Sequence, residues 1–280
     1  MSFNALSFPA EWRIESASQN ADTVVGTVYA VTLADGTHAI VKRLKPKALD
    51  DSLRGADFLT WRDGIGCVQL LARSGDMLLM EHAGKTTLRD HLEAHGDEDA
   101  TRIAAEVLRE YHRPSDTPPP ASLQPLERYF SSLFSKAERD RRAGIPGPYS
   151  EAAEFAEMLL ADQRDIKPLH GDLHHENIVH GLRGWLIIDP AGLIGDAALD
   201  VANMFSNPLD RFDLTRSEER IAAMAEIFAE TLGRDVRTLL RYGFAYGCLS
   251  AAWHDEDDNA EERDNELAVA AAIRNVLKQA

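Results

Sequence analysis

This chain has little cysteine, no long apolar run and a shortage of positive charge. Its 280 residues include two cysteines, Cys67 and Cys248, too few and too far apart for a disulfide framework. That points to a reducing compartment, the cytoplasm. No segment approaches the roughly 20 apolar residues that span a bilayer. Met1–Leu6 lacks the basic start and following apolar run of a secretory leader, so neither membrane insertion nor export is expected. Lys and Arg number 30 against 46 Asp and Glu, a formal net charge of −16. Nucleic acids and anionic membranes are bound by basic patches, so neither is expected as a partner. The acidic balance leans toward a small cationic ligand. Internal repeats and low-complexity tracts are absent too, and the length suits one catalytic unit with a sizeable core.

What is present is His170-Gly171-Asp172-Leu173-His174-His175-Glu176-Asn177, followed by Ile187-Ile188-Asp189-Pro190. The spacing is that of a phosphoryl-transfer catalytic loop, H-x-D-x-x-x-x-N with a later Asp. In that pattern Asp172 accepts a hydrogen bond from the acceptor hydroxyl, while Asn177 and Asp189 hold Mg2+. The residue types suit the chemistry, because a loose transition state with charge spread over phosphate oxygens mainly needs positioning and neutralisation. Hard Mg2+ takes oxygen ligands, which an amide and a carboxylate supply. A zinc site built from His170, His174, His175 and Glu176 is the competing reading, but H-E-x-x-H is missing and both cysteines are distant. His170 reads as a scaffold residue bracing the loop.

Upstream, residues 28–33 and 38–42 read as two strands joined at Asp35-Gly36. Ala39-Ile40-Val41-Lys42 matches the kinase V-A-I-K strand, which makes Lys42 the candidate phosphate ligand. A three-glycine loop is lacking. Thr23, Gly26 and Thr27 are the remaining candidates for a lid over the nucleotide. The helix over residues 51–61 offers aspartates where kinases place a glutamate, and Asp57 is preferred to Asp51 as the partner of Lys42. Residues 67–72 and 77–81 form a second hairpin. Glu81 to Gly84 then read as a hinge whose backbone, at Glu81 and Ala83, would meet adenine. Helical patterns follow over 87–94, 97–111, 126–143 and 150–162, and after the loop over 217–232, 236–253 and 260–278, with a short strand at 185–189. The expected organisation is a nucleotide-binding lobe over 1–81, a hinge at 82–84 and a helical lobe over 85–280.

The catalytic loop, Gly184-Trp185-Leu186-Ile187-Ile188-Asp189-Pro190, Leu53-Arg54-Gly55-Ala56-Asp57 and Tyr246-Gly247-Cys248-Leu249-Ser250-Ala251-Ala252-Trp253 together resemble the aminoglycoside and hydroxyurea resistance kinases, and among these the streptomycin 6-phosphotransferases. The likeness runs over nearly the whole chain. It implies an α+β, bilobal protein-kinase-like fold with a small antiparallel sheet lobe and a mainly helical lobe. It also implies ATP-dependent, Mg2+-assisted phosphorylation of the 6-hydroxyl of streptidine in streptomycin, and hence antibiotic resistance. Asp200 in Leu199-Asp200-Val201-Ala202 resembles the family's structural aspartate beneath the loop. A guanidinium-bearing acceptor calls for carboxylates and an aromatic face, and Asp196, Trp253, Asp255 and Glu256 are the candidates. Hydroxyurea or a metabolite as acceptor, or a catalytically silent nucleotide-binding adaptor, are the alternatives.

Overall fold

The computed structural model describes residues 8–280; the Met1–Leu6 start therefore lies outside the described residues. The architecture is α+β in two lobes. The first lobe is a five-stranded antiparallel sheet in the order β1-β2-β3-β5-β4. Its strands are β1 (Ile14–Asp22), β2 (Gly26–Leu33), β3 (His38–Leu44), β4 (Leu70–Ser74) and β5 (Met77–Glu81), with helix α1 (Leu49–Arg62) between β3 and β4. Alternation along the strands decides what faces what. Tyr29, Val31, Ala39 and Val41 point to one side and pack with Trp12 and Leu79 in a small core. Val28 pairs with Lys42 and Ala30 with Ile40, so these four share the other face, which looks toward the second lobe. β1 was not foreseen from the sequence because Glu15, Ser16, Ser18, Gln19 and Asn20 make it a polar edge strand without an apolar period.

After Glu81 the chain runs through residues 82–85 without helix or strand and enters the second lobe. This begins with β6 (Thr86–Thr87), α2 (Leu88–His95) and α3 (Asp97–Tyr111). A reciprocal cap fixes the start of α2, with Thr87 and Asp90 each accepting from the other's backbone, a capping box that satisfies two orphan donors. β7 (Gln124–Pro125), α4 (Leu126–Tyr129), α5 (Ser131–Ala143) and α6 (Pro148–Ala161) follow. The single helix read over 126–143 is thus broken at Phe130, whose ring is fully buried.

β8 (Ile166–Leu169) leads into the catalytic-loop segment. Next come β9 (Ile178–Gly181), β10 (Gly184–Ile187), β11 (Leu193–Asp196), α7 (Ala202–Phe205), α8 (Phe212–Thr215), α9 (Glu218–Leu232), α10 (Val236–Glu256) and α11 (Ala260–Gln279). β10-β9-β6 and β7-β11-β8 form two small sheets that hold the loop between them. α10 is apolar on nearly every face and runs through the core, as a helix without a polar side must. It continues to Glu256, past the expected end at Trp253. The lobes are joined by Val68 N–H to Ile187 O at 3.0 Å and Ile187 N–H to Gly66 O at 3.1 Å. Arg62, almost wholly buried, also donates to the carbonyls of Glu110 and Arg113. No helix among the described residues is long and apolar enough to cross a membrane.

Candidate active site

The loop is built on Asp200. Its buried carboxylate accepts from the Gly171 N–H at 2.7 Å, the His170 N–H at 3.1 Å, the Tyr111 hydroxyl at 2.7 Å and His112 Nε2 at 2.9 Å. Burial alone would raise this carboxyl, but His112 and the backbone donors hold it below its ordinary value. His170 is fully buried. Its Nδ1 accepts from the Asp172 N–H at 3.1 Å and its Nε2 lies 2.8 Å from Ile188 O, so the ring carries its proton on Nε2 and stays neutral, with burial lowering its pKa. It therefore ties the loop to the segment that carries Asp189.

Asp172 stands half open to the cleft, with a side-chain exposure of 49%. Its Oδ1 accepts from Asn203 Nδ2 at 2.9 Å, and Asn203 is itself gripped through its Oδ1 by Asn207 Nδ2 at 2.9 Å. The surrounding protein raises the Asp172 carboxyl by desolvation, opposed by His174 and His170. Asn177 Nδ2 donates to Asp172 O at 2.9 Å, which leaves the Asn177 Oδ1 without a protein donor among the described residues. Asp189 has a left-handed φ of +54°, a strained conformation of the kind that persists at functional sites, and its Oδ2 lies 2.9 Å from Lys42 Nζ.

Two cavities meet at this pair. One, about 550 Å³, lies under the sheet and is lined by Val28, Ile40, Val68, Met80, Val179 and Ile188, with Glu81 and Ala83 at its rim. The Ala83 N–H has no protein acceptor among the described residues, whereas the Glu81 N–H bonds Gln69 O at 2.9 Å. The other cavity, about 410 Å³, holds Asp172, His174, Asn177 and Asp51 with an aromatic wall of Tyr129, Tyr246 and Trp253. Lys42, Met80 and Asp189 border both. A mainly apolar slot with a free backbone donor at Ala83 and a polar chamber with a carboxylate, joined at a Lys–Asp pair, is an arrangement suited to moving a phosphoryl group from one occupant to the other.

Residues 11–258 match the family model of the aminoglycoside/hydroxyurea antibiotic resistance kinases. This chain belongs to that family. The kinase is 39% identical over 242 residues to a streptomycin 3''-kinase of Klebsiella pneumoniae, covering 84% of this chain and 88% of that protein. It is 28% identical over 259 residues to a streptomycin 6-kinase of Streptomyces griseus, covering 88% and 80%. Among solved structures, an aminoglycoside phosphotransferase in a ternary complex with AMP-PNP and hygromycin B superposes with a TM-score of 0.61 at 13% identity, over 92% of this chain and 94% of that one. That likeness is one of fold, and it agrees with the protein-kinase-like architecture.

The kinase does not bring every expected residue to the cleft. Asp57 bonds Ser122 Oγ at 2.6 Å and faces Arg73 at 3.4 Å. Six residues from Asp51 is about 240° round a helix, so it is Asp51 that lines the chamber. Asp196 is withdrawn from contact with any substrate. At 1% exposure it accepts from Arg164 N–H, Ala198 N–H and Arg234, pinning β11 to the following turn. Asp255 is taken up by Lys136 and Arg263, each at 3.3 Å, and Glu256 accepts from Ser132 Oγ. Neither lines the chamber, although Trp253 does. The Thr23 hydroxyl donates to Gly26 O and accepts the Gly26 N–H, while Thr27 donates to Asp22. The Thr23 and Thr27 hydroxyls are thus engaged locally, and of this turn Val25 lines the chamber. Glu81 lines the apolar cavity but its carboxylate is bound by Arg183.

The four ring-bearing and acidic loop residues do not converge as zinc ligands. His174 Nδ1 pairs with Glu176 at 2.9 Å, and His175 is buried with neither ring nitrogen partnered and its pKa pushed down to about 3 by burial. Asn203 and Tyr129 are the positions that sequence reading missed. The signal for Asn203 was its place three residues after Asp200, one turn on.

Proposed function

We propose that this kinase transfers the terminal phosphoryl group of ATP to a hydroxyl of streptomycin, with residues 1–81 supplying most of the nucleotide site. What carries the reading is the meeting of the two cavities at Lys42 and Asp189 with Asp172 on the acceptor side. The apolar slot suits adenine, and the free Ala83 N–H suits a ring nitrogen. Lys42 pairs with phosphate oxygens. The oxygen donors of Asn177 and Asp189 fit Mg2+, which supplies charge neutralisation at the phosphates when bound. Asp172 accepts the proton of the acceptor hydroxyl as its oxygen bonds to the γ-phosphorus and the bond to the β-phosphate bridging oxygen breaks, releasing ADP. A raised Asp172 carboxyl is the better base for this step, and Asn203 fixes its direction.

Within the chamber, the faces of Tyr129 and Trp253 are suited to a guanidinium, and Asp51, whose carboxylate is paired with Arg54, would exchange that partner for it, in place of Asp196, Asp255 and Glu256. The greater identity to the 3''-kinase favours the 3''-hydroxyl. The Streptomyces griseus relative supports the second reading, the 6-hydroxyl. The test is ADP release with streptomycin, hygromycin B, hydroxyurea and choline, followed by phosphorus–proton NMR of the product. A phosphate at 3'' is expected. Phosphate at position 6 selects the second reading, and turnover only with a different acceptor sinks the streptomycin assignment while leaving the kinase chemistry intact.

A further inference from the structure

The peptide unit between Gly171 and Asp172 is held at both ends. Its N–H, belonging to Asp172, goes to His170 Nδ1 at 3.1 Å, and its carbonyl, belonging to Gly171, accepts from the Tyr129 hydroxyl at 2.9 Å. No other protein donor to that carbonyl exists among the described residues. Gly171 has a φ of +78°, and a Cβ there would lie 2.5 Å from Leu193. The unit therefore sits in a conformation with few alternatives on one side, fixed on the other by a single phenol. Rotation of this plane swings the Cα of Asp172 and with it the carboxylate.

Tyr129 does not belong to the loop. It ends α4, lines the acceptor chamber, and stands edge-on to Trp253 with ring centroids 5.3 Å apart. One side chain thus touches the wall against which an acceptor would lie and the peptide that aims the base.

We infer that Tyr129 is a positioning residue that sets the direction of the Asp172 carboxylate through Gly171 and links it to occupation of the aromatic wall. The inference rests on the reading of the chamber as the acceptor site, but not on which acceptor it takes. Removing the hydroxyl while keeping the ring isolates the positioning role. Tyr129→Phe should lower kcat roughly three- to tenfold, the range of one hydrogen bond, and leave KM for nucleotide and acceptor within about twofold. Its melting temperature should stay near that of the wild type, because the partly buried ring is retained. Tyr129→Leu, which removes the wall as well, should raise the acceptor KM in addition.

The rates are measured with whichever acceptor turns over and, in parallel, as ADP release to water. Failure of the streptomycin assignment then leaves the Tyr129 result readable. A wild-type kcat in Tyr129→Phe would overturn the inference. So would a rise in acceptor KM with kcat unchanged, which would make Tyr129 wall only, or a parallel loss of rate and melting temperature, which would make it packing only.

Discussion

Gly55 offers a test in which two ordinary effects pull in opposite directions. It lies in the interior of α1, where replacing glycine by alanine normally stabilises by about 1 kcal/mol through helix propensity. Here a Cβ would lie 1.9 Å from Pro190 O and 3.1 Å from its carbonyl carbon, against an ordinary carbon–oxygen contact of about 3.3 Å. Helix and loop must therefore separate by roughly 1.4 Å for a normal contact to be restored. Both sides are backbone, so no side chain can turn away. The neighbouring crossing is also tight, since a Cβ on Gly192 would lie 2.7 Å from the Arg54 carbonyl. Overpacking of this kind typically destabilises by about 1–3 kcal/mol, so with the propensity gain of about 1 kcal/mol set against it the net change in Gly55→Ala should be a loss of up to about 2 kcal/mol.

The loop that has to move carries Asp189, whose contact with Lys42 at 2.9 Å defines the junction of the two cavities. A displacement of about 1 Å near reacting groups lowers turnover by as much as a hundredfold, so kcat/KM should fall at least tenfold, with weaker nucleotide binding. Urea denaturation and steady-state kinetics read both effects. A Gly55→Ala protein that is more stable than the wild type and fully active would refute the claim that α1 and the Asp189–Pro190 turn are in contact through their backbones.

Asn203→Ala removes a hydrogen bond to the charged form of Asp172 at 2.9 Å. The rate should fall roughly tenfold or more, and the acidic limb of the pH–rate profile should move to higher pH because the carboxylate loses stabilisation; an unmoved limb would contradict the role given to Asn203. Glu266, buried against Ser206 and Ser250, has its carboxyl pushed up to about 7 from 4.5 by desolvation. Between those values the folded state keeps a proton that the unfolded chain has released, so stability should fall by roughly 3 kcal/mol as pH rises from about 4.5 to 7 and level off above. Glu266→Gln should remove most of that slope in urea titrations at pH 5 and pH 8, and an unchanged slope would show that other groups set it.

The sequence was most informative where chemistry constrains spacing. Lys42 lies far upstream of Asp172, Asn177 and Asp189 in the chain, yet the structure places all four around one junction, because the reaction they suit tolerates few arrangements. The helices with clear apolar periods, such as α3 and α9, were also legible. What escaped was decided by tertiary packing. β1 has no apolar alternation, and Phe130 breaks a helical pattern in order to bury its ring. The acceptor carboxylates were sought in the acidic run after Trp253, but helix α10 continues into it as far as Glu256 and turns Asp255 to Lys136 and Arg263. Asp51 and Asp57 differ in which side of α1 they occupy, and the sequence alone does not say which side faces the chamber; the partner of Lys42 is Asp189 and neither of them. Tyr129 reaches the loop from a short helix about forty residues upstream in the chain, a contact no local pattern announces.

Asp172 is proposed to accept the acceptor proton in a nucleotide-dependent phosphoryl transfer. The most direct test of this role is Asp172→Asn, which keeps the shape of the side chain, with kcat and nucleotide affinity measured on the same purified protein. Turnover should fall by roughly a hundredfold or more while the nucleotide dissociation constant stays within about twofold. Near-native turnover in that variant would contradict the account, and so would loss of nucleotide binding in step with the rate.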